Sequence, residues 1–124
     1  MNYPWIDDYL LKKKGVVKDF KQEWNWFRYK IGEKMFCAVC LDDSGEPYYI
    51  TLKLKPEHGD AMRQMYPDVI PGYYANKVHW SSIKADGAVP EEVVRQMLDE
   101  SYALVLSSLS KKKQNEIQNG GNEI

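Results

Sequence analysis

The hydrophobic pattern changes period several times along the chain, and each change marks an element. Ile6, Tyr9 and Leu10 share one face of a helical projection near the start. Asn2 is placed to cap that helix, and Pro4 suits its first turn. Asp7 and Asp8 lie early, where the helix dipole favours acids. Lys12, Lys13 and Lys14 close the helix, and Gly15 can stop it. "WFRYKI" then alternates, with Phe27, Tyr29 and Ile31 against Trp26, Arg28 and Lys30, which is the period of a strand. Gly32-Glu33 predicts a two-residue hairpin turn. "KMFCAVCL" is almost wholly apolar, as in a central strand buried on both faces. After the turn "DDSGEP", the run "YYITLKL" alternates again. Tyr48, Ile50, Leu52 and Leu54 oppose Tyr49, Thr51, Lys53 and Lys55.

"PEHGDAMRQMY" predicts a short helix, opened by Pro56 and ended by Pro67. Pro71-Gly72 predicts a turn and "KVHWSSIK" a strand. The last helix is the clearest: it opens at Pro90, and Val94, Met97, Leu98, Tyr102, Val105 and Leu109 recur at helical spacing. Lys111, Lys112 and Lys113 close it, and residues 114–124 read as a polar, flexible tail. The order α-β-β-β-α-β-β-α predicts one α+β domain over residues 1–113. It has two layers, an antiparallel sheet with helices on one side.

Composition narrows the function classes. The chain has 124 residues and a net charge of -1, so it does not coat nucleic acid by charge alone, although a local basic patch is compatible with it. No apolar run approaches a membrane span, and the acidic-then-basic start is the reverse of a secretory signal. A cytoplasmic protein with Cys37 and Cys40 reduced is expected.

"CAVC" has the C-x-x-C spacing, but its frame is a strand, where residues three apart point to opposite faces. Zinc would need two further ligands, and His58 and His79 are the only histidines. Core thiols are therefore expected, with no metal and no cofactor. Ser81, Ser82 and Ser101 lack a nucleophile frame, and no phosphate-binding glycine loop occurs. No catalytic constellation stands out, and no enzyme is expected.

The alternation does place Arg28, Lys30, Lys53 and Lys55 with Trp26, Tyr49 and Thr51 on the side away from the predicted helices. A wet, basic, aromatic face would let rings stack on bases while lysines meet phosphates. Solvated strand faces and sheet edges carry lysine for their own reasons as well. "NKVHWSS" supports two readings in the same way. As a strand it points Lys77, His79 and Ser81 one way and Val78, Trp80 and Ser82 the other. In the structural reading Trp80 packs and Asn76 closes a turn. In the functional one Lys77 and His79 form a small polar site for an anion.

Longer stretches carry a resemblance. "KGVVKDF", "GEKMFCAVCLD" and the run from Leu52-Lys53 through Pro71-Gly72, Asn76-Lys77, His79-Trp80, Asp86-Gly87 and Pro90 to Ser101-Tyr102 resemble the MmcQ/YjbR family, from about residue 3 to about residue 113. The resemblance implies a small α+β fold of the same element order, likened to secretion-chaperone and frataxin-like architectures. It implies a DNA-binding role through a "double wing" of strands and loops, with no agreed catalytic residues. Under that implication Lys53 and Lys77 meet phosphates, His79 lies beside them and Trp80 stacks or anchors. A protein partner of the chaperone kind, or a small anionic ligand near Lys77 and His79, are the alternatives. A monomer or weak dimer is expected.

Overall fold

A computed structural model of the protein describes residues 1–72 and 76–120. Strands β1 (Val17–Lys21), β2 (Trp26–Ile31), β3 (Lys34–Leu41), β4 (Pro47–Lys53), β5 (Val69–Pro71) and β6 (Trp80–Lys84) form one antiparallel sheet, in the order β1-β2-β3-β4-β6-β5. Helix α1 (Ile6–Leu11) precedes it, α2 (Pro56–Met65) links β4 to β5, and α3 (Glu91–Ser107) and α4 (Lys111–Gly120) follow β6. The α+β class and the antiparallel sheet are those the periodicity predicts. Strand β1 and helix α4 are additional to the predicted order.

Register decides which side chains meet. Tyr29, Cys37, Leu52 and Ser81 lie in one cross-strand row, and Phe27, Val39, Ile50 and Ile83 in the next. The apolar members of both rows face Ile6 and Leu10 of α1, Val94, Leu98 and Val105 of α3, and Ile117 of α4. That cluster is the main core, and it places the helices on one side of the sheet. The β2–β3 hairpin turns on Gly32 (φ 54°) and Glu33 (φ 69°). Two positive φ values in a two-residue loop match the right-handed twist of the flanking strands. Past that turn the register slips between Tyr29 and Lys30, which leaves Phe36 as the unpaired residue of a bulge. Its carbonyl accepts the Ser101 hydroxyl, and its ring meets Tyr102 edge-on at 5.5 Å.

Three local expectations are corrected. Asn2 does not cap α1, whose N-cap is Trp5 with no side-chain hydrogen bond. Its backbone N–H instead donates to the Ala85 carbonyl (2.7 Å) and its amide to Gly87 (2.8 Å), which ties the chain start to the β6–α3 connection. The final helix does not run through Lys113. It stops at Ser107, and Ser110 Oγ accepts the Lys113 N–H at 3.1 Å, so Ser110 starts a second helix. Lys111, Lys112 and Lys113 therefore open α4 rather than close α3. Residues 114–120, expected within a flexible tail, continue α4, and Ile117 is buried against Gly15. One apolar residue in a polar stretch was too weak a signal for period analysis. Gly15 has φ 78°, and a Cβ there would stand 2.8 Å from Ile117, so its smallness admits the helix.

Candidate functional site

The segment Asn76–Trp80 is a turn that leads into β6, and only Trp80 of it belongs to the strand. The strand is three residues shorter than "KVHWSSIK" predicts. Asn76 Oδ1 accepts the Val78 N–H at 2.9 Å, and the Asn76 carbonyl accepts the N–H groups of His79 (3.2 Å) and Trp80 (2.9 Å). An asparagine that satisfies the backbone two residues on folds the chain into a turn before pairing begins. Lys77, Val78 and His79 are consequently exposed rather than alternating between faces.

This turn is stitched to β4. The Leu54 N–H donates to the His79 carbonyl at 2.8 Å, and Lys53 pairs directly with Trp80 across the β4–β6 ladder. Lys53 and Trp80 are both half-buried on the same side of the sheet. Gly72 packs on the Trp80 backbone, its N–H donating to the Trp80 carbonyl at 2.7 Å. A Cβ at Gly72 would lie 2.7 Å from Trp80 Cβ, so only glycine fits after Pro71. The Lys53 N–H donates to Ser101 Oγ at 2.9 Å, which fixes the end of β4 on α3. Lys55, just beyond, is exposed, and its N–H donates to Glu100 Oε2 at 2.9 Å. Among the described residues, no carboxylate forms an ion pair with Lys53, Lys55 or Lys77. The structure thus brings Lys53, Asn76, Lys77, His79 and Trp80 together at one end of the β4–β6 pair.

Arg28 and Lys30 share the same sheet face but stand two strands away and are already partnered. Asp19, directly opposite Arg28 on β1, accepts from Arg28 Nε (2.8 Å) and Nη2 (2.7 Å), and Lys30 Nζ lies 3.0 Å from the same carboxylate. The Arg28 guanidinium, with Lys30 beside it, holds the Asp19 carboxyl down at about 2. Asp19 lies in β1, a short exposed strand with little hydrophobic signal. Alternation of "VKDFK" against "WFRYKI" is the pattern that reveals it.

The expected wet, basic face is corrected by the register. Trp26, Cys40 and Tyr49 align in one row, and Arg28, Ala38, Thr51 and Ser82 in the next. Trp26, Ala38, Cys40, Thr51 and Ser82 are buried. Trp26, Ala38 and Cys40 form a second apolar cluster, flanked by Met35, Tyr48 and Tyr49. Thr51 Oγ1 shares a hydrogen bond with Ser82 Oγ (2.8 Å) and a longer one with Cys40 Sγ (3.7 Å). Trp26 and Thr51 are therefore packing residues, and small side chains between them let the strands' aromatics close over the sheet.

Cys37 belongs to the helix-side core and Cys40 to the opposite cluster. Burial raises both thiols, Cys40 to about 11 and Cys37 further. His58 and Glu100 meet between α2 and α3, with Nδ1 2.7 Å from Oε1. They border a cleft of about 150 Å³ floored by Leu54, Met62, Val93 and Met97. No local pattern links two residues so far apart in the chain, so this pair is visible only after folding. Among the described residues, no group of three metal-ligating side chains converges. No helix among them is long and apolar enough to cross a membrane.

The fold and this loop-bearing face define a class: a small α+β domain with a six-stranded antiparallel sheet. The family model described as YjbR matches residues 11–104, and the chain belongs to the YjbR family. It is 29% identical over 105 residues to the uncharacterized protein YjbR of Escherichia coli K12, across 85% of this chain and 87% of that protein. It is 34% identical over 92 residues to the uncharacterized protein YbdF of Escherichia coli O157:H7, across 74% of each. The crystal structure of the Deinococcus radiodurans protein DR2400, with a DUF419 domain, superposes with a TM-score of 0.82 at 26% identity. That match covers 96% of this chain and 93% of that one.

Proposed function

We propose that this YjbR-family chain is a nucleic-acid-binding module. It contacts phosphates through Lys53 and Lys77, with Lys55 and His79 at the rim and Trp80 as a partly exposed ring beside them. The observation that carries this reading is the Lys53–Trp80 pair. A lysine with no carboxylate partner among the described residues stands directly across the ladder from a half-buried indole, and the exposed Lys77–His79 turn adjoins it. Cations meet backbone phosphates while an aromatic face accepts a base, and this needs no sequence-specific frame. Arg28 and Lys30 fall outside the footprint, because Asp19 occupies them. Asn76 acts through the turn it closes, so it positions Lys77 and His79 rather than touching the ligand.

The test is fluorescence anisotropy of labelled single-stranded and duplex DNA, titrated with protein over a range of salt. Two phosphate contacts predict a log–log salt slope of about -2 for duplex DNA, and each of Lys53→Ala and Lys77→Ala lowers its magnitude by about 1. A folded protein that fails to bind at low salt sinks the proposal and directs attention to a protein partner instead.

A further inference from the structure

Helices α2 and α3 border a groove on the helix side of the sheet. His58 and Met62 lie one turn apart on α2, and Val93, Met97, Glu100, Leu104 and Ser107 recur at helical spacing along α3. Two hollows open along this groove, and both are lined by His58 and Glu100, so they adjoin at that pair. The first, of about 150 Å³, has an apolar floor in which Leu54 and Met97 are buried and Met62 and Val93 half-buried. The second, of about 350 Å³, is lined further by Lys55, Ala103, Leu104 and Ser107. Lys55, His58 and Glu100 are the ionisable groups of the two hollows. Glu100 is already committed within the chain. Its Oε1 lies 2.7 Å from His58 Nδ1, and its Oε2 accepts the Lys55 N–H at 2.9 Å. A carboxylate only accepts, so Nδ1 carries the donated proton. The Lys55 ammonium and His58 Nε2 remain, and neither has an ion-pair or hydrogen-bond partner among the described residues.

We propose that this groove binds a small amphipathic anion, a medium-chain carboxylate, with its head between Lys55 and His58 and its tail along the apolar floor. The uncommitted groups select the charge of the head. The Lys55 ammonium is exposed and unpaired among the described residues, and a protonated imidazole donates from both nitrogens, one to Glu100 and one to the bound carboxylate. An ammonium head finds no equivalent place, because both Glu100 oxygens already accept within the chain. The floor selects the tail. Val93 to Glu100 covers about 10 Å of helix, the reach of an alkyl chain of medium length. Laying that chain against Leu54, Met62, Val93 and Met97 removes apolar surface from water and strands no polar group. Apolar walls with a few placed polar groups are the ordinary make-up of a small-molecule site. Glu100 is a positioning residue that orients the His58 ring. The groove shares only Lys55 with the nucleic-acid footprint, so it stands or falls apart from that reading.

The test is amide-resolved NMR of the isotope-labelled whole chain, titrated with octanoate. Octanoate shifts the amides around His58, Met62, Met97 and Glu100 saturably, with a Kd of about 1 mM for so small a molecule. Octanamide keeps the tail and loses the charge, and acetate keeps the charge and loses the tail. Each binds more weakly by about tenfold or more. Lys55→Glu weakens octanoate by about tenfold, since a like charge then faces the carboxylate. His58→Gln keeps a donor for Glu100 but lacks the second ring nitrogen, and it weakens octanoate by about threefold. Both side chains are exposed, and an unchanged spectrum away from the groove checks that the fold survives. Octanoate that produces no saturable shift overturns the proposal. So does a response confined to residues outside α2 and α3, octanamide or octylammonium binding as tightly as octanoate, or an affinity indifferent to Lys55→Glu.

Discussion

The Asp19 carboxylate and the Arg28 guanidinium form a two-pronged bond across the first two strands, with Nε to Oδ1 at 2.8 Å and Nη2 to Oδ2 at 2.7 Å. Fork-to-fork geometry of this kind fixes direction as well as charge. It withdraws Arg28 from any ligand, and Lys30 with it. What reads in sequence as four basic residues on one face becomes, in the fold, a partly exposed ion cluster around Asp19 at one end and, at the other, lysines with no ion-pair partner among the described residues.

That cluster sets an acid-dependent part of the stability. Asp19 is held at about 2, below the ordinary 3.8. A lowered carboxyl contributes stability that is full above the unfolded value and disappears as pH falls through the folded one. The contribution is therefore complete above about pH 4 and lost towards about pH 2. Asp19 is partly exposed, so solvent screening limits the effect of Asp19→Asn to about 1 kcal/mol at neutral pH. Urea midpoints of the two proteins at about pH 7 and about pH 2.5 test this, and the gap between them should narrow at the lower pH.

Ser101 joins three elements through one hydroxyl. It donates to the Phe36 carbonyl in the β3 bulge and accepts the Lys53 N–H, all from α3. Ser101→Ala leaves the buried Phe36 carbonyl and the partly buried Lys53 N–H without that partner and should cost about 1–3 kcal/mol. Denaturant midpoints measure it. A near-neutral result would mean that α3 is positioned by its apolar face alone.

Thr51→Val should destabilise by about 1–2 kcal/mol, because Ser82 Oγ loses its 2.8 Å partner inside the sheet. The double variant Thr51→Val/Ser82→Ala removes the stranded hydroxyl too. It should be less damaging than the sum of the two single changes, and a double-mutant cycle checks this. Strict additivity would show that the two hydroxyls do not act as a pair.

Helix α4 should be part of the cooperative fold. Ile117→Ala removes its buried anchor, and the expected loss is about 2 kcal/mol. Gly15→Ala should also destabilise, since φ is 78° and the new Cβ meets Ile117. Hydrogen exchange on α4 at the rate of a free peptide would contradict both expectations.

The two thiols should be silent in the folded protein. Both are buried, and burial raises both. The thiolate is the reactive species, so a colorimetric thiol reagent at mildly alkaline pH should titrate them only after denaturant is added. Fast labelling of either in native buffer would refute the assignment to the core.

The sequence by itself determined the elements whose side chains repeat. Period two marked β2 and β4, a continuous apolar run marked β3, period 3.6 marked α3, and Pro56 with Pro67 bracketed α2, because these signals are local to each element. It also carried the family likeness, in runs such as "GEKMF" and "NKVHW". It under-read β1 and α4, where exposure leaves few apolar positions to repeat. Only the tertiary structure decided which cations find a carboxylate among the described residues. Arg28 and Lys53 look alike in an alternating strand, yet Asp19 stands opposite one and Trp80 opposite the other. Pairing partners come from strands far apart in the chain, and a two-residue period cannot say which strand will lie alongside. Nor could it show that Thr51 and Trp26 are covered, or that His58 meets Glu100 across α2 and α3. Periodicity reports which face of an element is apolar, and register and packing determine what that face meets.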